Sequence, residues 1–217
     1  MLKAILALVV AALALPVILV PVYAVVPPPF STLELWQRIN GVPIEKRWVP
    51  LDDIAPVLTH AVIMSEDGQF CFHRGIDVRE LRAVLEAGSE RPRGASTIPM
   101  QTAKNLFLWP SRSYLRKALE VPLAIWMDFV WSKRRMLEIY LNIVEWGPGV
   151  FGADAAARHW FGVPAAQLSR AQAARLAAAL PNPHLRNPAR PGPGTQRVAG
   201  IIERRAAQAG AYVRCLD

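Results

Sequence analysis

Residues 91–119 read RPRGASTIPMQTAKNLFLWPSRSYLRKAL: no acid, and six bases, Arg91, Arg93, Lys104, Arg112, Arg116 and Lys117. Glu90 and Glu120 bound the run, and Ser65-Glu66-Asp67 lies shortly before it. A one-signed segment in a chain of mixed charge suits an anionic partner. The carboxylates on either side are the candidates for proton transfer. The same stretch sets the local structure. After a polar loop, GSERPRG at 88–94, Ser96 starts a helical pattern with Pro99 at the third helical position, where its missing N–H is not needed. Trp109-Pro110 breaks that pattern. Ser113 starts the next, which runs to Val130 and puts Arg116 and Glu120 on one face at i, i+4. The start at Gly94-Ala95-Ser96-Thr97 offers free N–H groups, two hydroxyls and the positive end of a helix dipole. A lysine and an arginine together can hold a pyrophosphate, one as a point charge and one as a fork. No Walker A loop is present, so a nucleotide is not indicated.

Outward from this stretch the pattern stays helical. Asp52 or Asp53 is expected to cap a helix to about Glu66, and Asp77 another to about Ala87 with Glu80 in capping-box position. Glu66 ends its helix behind the apolar Ala61-Val62-Ile63-Met64. Partial burial there raises a carboxyl pKa and makes a usable base near neutral pH, with His73 and Arg74 placed to oppose the effect. Pro122 is expected to bend the helix beside Glu120. Further helices are expected over 132–144, 153–160, 170–180 behind Ser169, and 195–208. There is no strand-period segment longer than a few residues, so the body reads as mainly α.

The chain has 217 residues, 53% apolar and 19% charged, with a net charge of +8. Ala4 to Val26 holds 23 residues without a charge. As a helix it is about 35 Å long, enough for a bilayer core of about 30 Å. The apolar run outlasts a signal-peptide core that could end at Ala12-Leu13-Ala14, which favours an anchor. Lys3 before the span favours a short cytoplasmic tip and an exported body. The division expected is 1–26 tip and single-pass anchor, 27–50 juxtamembrane segment opening with Pro27-Pro28-Pro29, and 51–217 catalytic domain. Trp36 and Trp48 can sit at headgroup level or serve as ordinary core aromatics. An exported body argues against nucleic acid as the partner of the basic charge. Cys71 and Cys215 are expected as two unpaired thiols. No CxxC, HExxH or Cys/His cluster indicates a structural metal.

Five segments carry a resemblance. Glu66-Asp67-Gly-Gln-Phe70-Cys-Phe-His73-Arg-Gly75 resembles the first signature, ED-x2-F-x2-H-x-G, of the peptidoglycan glycosyltransferases. Residues 94–107 resemble the second, with Pro99-Met100 where the family usually has a polar residue and Gln. Arg116-Lys117-Ala-Leu-Glu120, continuing through 132–142, resembles the third. Residues 149–161 and 173–183 resemble the last two. All stand in family order across roughly residues 51–190, and the similarity is greatest to the monofunctional biosynthetic type of glycosyltransferase family 51, without a transpeptidase domain.

The resemblance implies a lysozyme-like helical fold and polymerisation of lipid II at the outer face of the bacterial inner membrane, in the periplasm. By motif position, Glu66 is the general base on the acceptor 4-hydroxyl and Glu120 the second acid. Lys104 and Arg112 hold the leaving undecaprenyl pyrophosphate with Arg116 close by. Ser96, Thr97, Gln101 and Asn105 line the site. Asp67, Phe70 and His73 are expected among the substrate-binding residues, with Asp67 and His73 also fixing the loop around Glu66, and Glu138 and Tyr140 belong to helix packing behind the site. The configuration inverts. No cofactor is required by the sequence; a divalent cation, Mg or Mn, bridging pyrophosphate and carboxylate is the one candidate. Other cell-wall synthesis proteins are expected as partners. The competing readings are a lysozyme-like or lytic enzyme that cleaves peptidoglycan, which gives no reason for the acid-free stretch, and a membrane-tethered scaffold.

Overall fold

The computed structural model describes residues 2–86, 96–111 and 113–217. The loop at 88–94 with Arg91 and Arg93, together with Gly94, Ala95 and Arg112, lies outside the described residues. The fold is mainly helical. Helix α1 spans Leu2–Tyr23, α2 Thr32–Ile39, α3 Pro56–Glu66, α4 Val78–Glu86, α5 Ile98–Phe107, α6 Tyr114–Val130 and α7 Lys133–Ile143. Then come α8 Ala153–Phe161, α9 Arg170–Ala179 and α10 Pro193–Ala207. Three short strands, β1 Glu45–Lys46, β2 Glu145–Gly147 and β3 Val150–Phe151, form a sheet in the order β1-β3-β2. β1 runs parallel to β3 and β2 antiparallel to it.

The caps explain most helix starts. Ser31, Ser113, Ser132 and Ser169 each accept a hydrogen bond from the backbone N–H three residues on. Asp77 accepts from the N–H groups of Arg79 and Glu80. One start is corrected. Leu51–Asp53 is a separate 3-10 turn, and α3 begins at Pro56 behind Ala55, with no side-chain cap. Pro56 supplies the helical φ and lacks an N–H that would go unpaired there. Similarly, α5 takes Thr97 as its cap, so Pro99 falls at the second helical position. α6 runs as one helix through Pro122.

The core gathers around α3 and α7. Leu58, Val62 and Ile63 of α3 and Leu137, Ile139, Tyr140 and Leu141 of α7 are fully buried. α9, RAQAARLAAA, packs against both α3 and α10, and its buried alanines let the helices approach closely. α2 and β1 join this body. Thr32 Oγ1 donates to the carbonyls of Asn105 and Leu108, which the end of α5 would otherwise leave unpaired. The buried Glu34 pairs with Lys46 at 2.8 Å. Asn142 holds both the N–H and the C=O of Val49. Trp48 packs on the core beside Arg135, whereas Trp36 is exposed.

α1 rests its end on α6 and α7: the Trp131 indole donates to the Val20 carbonyl at 2.7 Å, and Arg135 Nε donates to that of Tyr23 at 2.8 Å. Among the described residues, no helix is long and apolar enough to cross a membrane.

The cysteines are also corrected. Cys71 and Cys215 form a disulfide across 144 residues of sequence. α10 packs on α3, and the turn after it, Gly210–Leu216, comes back to the loop that follows α3. Sequence spacing does not reveal that return.

Candidate active site

Glu66 is the last residue of α3, where the helix dipole places negative potential. Burial raises its carboxyl above the ordinary value; the Gln101 hydrogen bond, Lys104 and Arg186 oppose this, and Asp67 adds to it. The expected rise is present, but Gln101, Lys104 and Arg186 oppose it in place of His73 and Arg74. Gln101 Nε2 donates to Glu66 Oε2 at 3.0 Å, and Gln101 Oε1 accepts from the Tyr140 hydroxyl at 3.1 Å. Tyr140 is fully buried, and its pKa is driven up by burial and by Glu66 and Asp67, so it stays a donor. Tyr140 thus fixes which way the Gln101 amide points.

The loop after Glu66 is braced from inside. Asp67 is buried, accepts from the Ile98 N–H at 2.9 Å and meets His73 Nε2 at 2.9 Å. That ties the end of α3 to the start of α5. Thr97 Oγ1 donates to the Gly75 carbonyl at 2.6 Å and accepts from the Met100 N–H. Gly75 has φ +79°, and a Cβ there would meet the Ala124 carbonyl oxygen of α6 at 2.7 Å. Only glycine suits both the angle and the approach. Phe70 does not face a cleft. It is fully buried under Lys133 Nζ, 4.7 Å from its ring centre. Lys133 also donates to the His73 carbonyl at 2.9 Å and pairs with Asp128.

The cations lie on the other side of Glu66. Lys104 is held below its ordinary pKa by burial and by Arg116, against the pull of Glu66. Arg116 pairs with Glu120, which is buried. Lys117 Nζ donates to Ser96 Oγ at 2.8 Å and to Glu120 Oε2 at 3.0 Å, joining the segment just before α5 to α6. Burial, then Arg116 and Lys104, push Lys117 down to about 8. Arg116 thus depresses both lysines and Lys104 depresses Lys117, a cation cluster that a polyanion relieves. Lys117 joins the cations beyond the residues expected in the site; its i, i+3 spacing to Glu120 is the signal the sequence carries. A cleft of ≈ 280 Å³ lined by Leu33, Lys104, Asn105 and Arg116 opens on this side. Of the residues expected in the site, Glu66, Asp67, Ser96, Thr97, Gln101, Lys104, Asn105, Arg116 and Glu120 therefore come together. Phe70 and His73 support the loop, and Arg112 lies outside the described residues. Among the described residues, no three His, Cys, Asp or Glu side chains gather as metal ligands.

A profile described as transglycosylase matches residues 34–206. The chain belongs to the transglycosylase family. It is similar to a protein of Mesorhizobium japonicum named biosynthetic peptidoglycan transglycosylase, 61% identical over 193 residues, 87% of this chain and 81% of the relative. A protein of that name from Agrobacterium fabrum is 57% identical over 211 residues, 95% of this chain and 92% of the relative. One from Brucella suis is 54% identical over 207 residues, covering 93% and 92%. Family membership accounts for the five signatures standing in order; Pro99 and Met100, which depart from the second, are both buried in α5.

Proposed function

We propose that this chain polymerises lipid II into glycan strands by inverting glycosyl transfer, releasing undecaprenyl pyrophosphate. The observation that carries the reading is a base and an anion site on either side of one reaction centre: the raised Glu66 carboxyl, oriented by Gln101, beside Lys104, Arg116 and Lys117. Glu66 takes the proton of the acceptor 4-hydroxyl as that oxygen bonds to the donor anomeric carbon. The anomeric C–O bond breaks on the opposite face, and the electron pair leaves with the pyrophosphate. The fixed cations stabilise the charge as it develops. Glu120 holds Arg116 and Lys117 in place against their mutual repulsion.

The reading extends to location. α1 has 22 residues, Lys3 as its single charge, and outward-facing Leu6, Val10, Leu15, Val17, Ile18 and Val22. The described part of α1 alone is not long and apolar enough for a span, so the anchor reading rests on the uncharged run from Ala4 to Val26, about 35 Å long as a helix. It then serves as a single-pass anchor in the inner membrane, with the catalytic body on the periplasmic side.

Glu66→Gln tests the chemistry. Turnover of purified lipid II is expected to fall by about 10²–10⁴-fold with an unchanged melting temperature. Wild-type rates in that variant rule Glu66 out as the base. Product analysis separates the lytic alternative, which releases fragments from finished polymer.

A further inference from the structure

The larger cleft beside Glu66, ≈ 510 Å³, has two unlike walls. One comes from α3, the loop after it and α4, and carries Glu66, Gln69, Asp77 and Glu80. The other is Arg205, Gln208 and Tyr212, from the end of α10 and the turn Gly210–Leu216. Gln208 and Tyr212 lie beyond the residues 34–206 that the family profile matches. Among the described residues, these three side chains make no hydrogen bond or ion pair, and all are exposed to the cleft.

The wall is placed by several contacts. The Tyr212 ring meets Phe72 edge-to-face at 5.9 Å between centres. Next to Phe72, Cys71 is joined to Cys215, so the turn is fastened to the loop that carries Asp67 and His73. Arg134 donates to the Leu216 carbonyl and pairs with Asp52, holding the turn from behind.

The chemistry selects the occupant. Carboxylates on the near wall repel a pyrophosphate, and the cations suited to it are at Lys104, Arg116 and Lys117. Hydroxyl and amide N–H donors suit Glu66, Asp77, Glu80 and the Gln208 amide, and the Tyr212 ring offers an apolar face with a polar edge. Arg205 is the only cation lining this cleft among the described residues, and it sits in the last turn of α10, where a helix favours positive charge. Its fork matches a carboxylate.

We propose that Arg205, Gln208 and Tyr212 bind the saccharide part of the substrate and the peptide it carries: N-acetylated sugar rings on Tyr212 and Gln208, and a peptide carboxylate on Arg205. The assignment rests on the transglycosylase reading and names the part of the substrate that the cation site does not take.

The test uses the full chain, wild type and with Arg205→Gln or Tyr212→Leu, both exposed positions. The probes are two lipid-free tetrasaccharides of alternating N-acetylglucosamine and N-acetylmuramic acid, each muramic acid carrying its peptide in amide linkage, one with the peptide carboxylates free and one with every peptide carboxylate amidated. Binding is followed by calorimetry, and KM and product length on lipid II are measured alongside. Arg205→Gln is expected to weaken the free-carboxylate probe roughly tenfold, the scale of one charge-assisted hydrogen bond, and to leave the amidated probe unaffected. Tyr212→Leu weakens both probes, raises KM and shortens the product. If both variants bind both probes as the wild type does while the wild type polymerises lipid II, the wall assignment is wrong and the transglycosylase reading stands. If the wild type makes no polymer, the transglycosylase reading fails. The calorimetry needs no turnover, so it still decides whether the wall binds sugar.

Discussion

Lys117 joins the Ser96 hydroxyl to Glu120 while lying in the field of Arg116 and Lys104. With its amine at about 8 against an ordinary 10.5, it is half charged close to physiological pH. The sign follows directly. Only the protonated amine attracts pyrophosphate, so affinity falls as pH rises through about 8, although the ligand itself only gains negative charge on that limb. Titration calorimetry with inorganic pyrophosphate from pH 7 to 9.5 checks this. Lys117→Arg should flatten the decline, because a guanidinium stays charged throughout. An identical pH dependence in the two proteins would remove Lys117 from the anion site. Between about 8 and 10.5 the unfolded chain binds more protons at this lysine, so its effect on stability becomes more favourable with rising pH. At this scale the sequence was a partial guide. The apolar run before Glu66 announced a raised carboxyl. The network Tyr140–Gln101–Glu66 was hidden, because it joins residues on α3, α5 and α7 that only packing brings together.

Among the elements, helix starts were the legible part. Ser113, Ser132, Ser169 and Asp77 cap helices at the starts expected from the sequence, whereas the Ser31 cap was not foreseen. The start of α3 was misread, since Asp52 and Asp53 have the right chemistry but belong to a separate turn. The three strands were invisible, because two or three residues carry no period. The junction of α3, α5 and α6 turns on Gly75, whose φ of +79° and 2.7 Å approach to the Ala124 carbonyl bar a side chain. Gly75→Ala must strain the backbone or push α6 away. An expected loss of about 2–4 kcal/mol follows, from the cost of a non-glycine residue in that region plus overpacking. Chemical denaturation measures it. Because Thr97 bonds the Gly75 carbonyl, the variant should also lose activity beyond its stability deficit. Wild-type stability would mean that α6 yields freely at this contact.

On the scale of the whole molecule, the chain is closed by a link its sequence did not disclose. Cys71 lies in the loop after α3, between Asp67 and His73, and Cys215 lies 144 residues on, and they meet because α10 packs on α3 and turns back. A bridge spanning 144 residues removes much of the freedom of the unfolded chain. The loop-entropy argument gives about 5 kcal/mol as an upper value, and native bridges commonly give about 2–4 kcal/mol. For a domain of this size, reduction should therefore lower the melting temperature by roughly 5–15 °C. Scanning calorimetry of the oxidised protein, the reduced protein and the Cys71→Ser/Cys215→Ser variant tests the claim, with the last two expected to coincide. The loss should also be local in kind. Releasing Cys215 frees the turn that carries Tyr212, so amide exchange should rise first in residues 67–73 and 210–216 and leave α7 protected. A reduced protein that melts with the oxidised one, with unchanged exchange in both segments, would show that the packing of α10 on α3 and α9 alone holds the cleft closed.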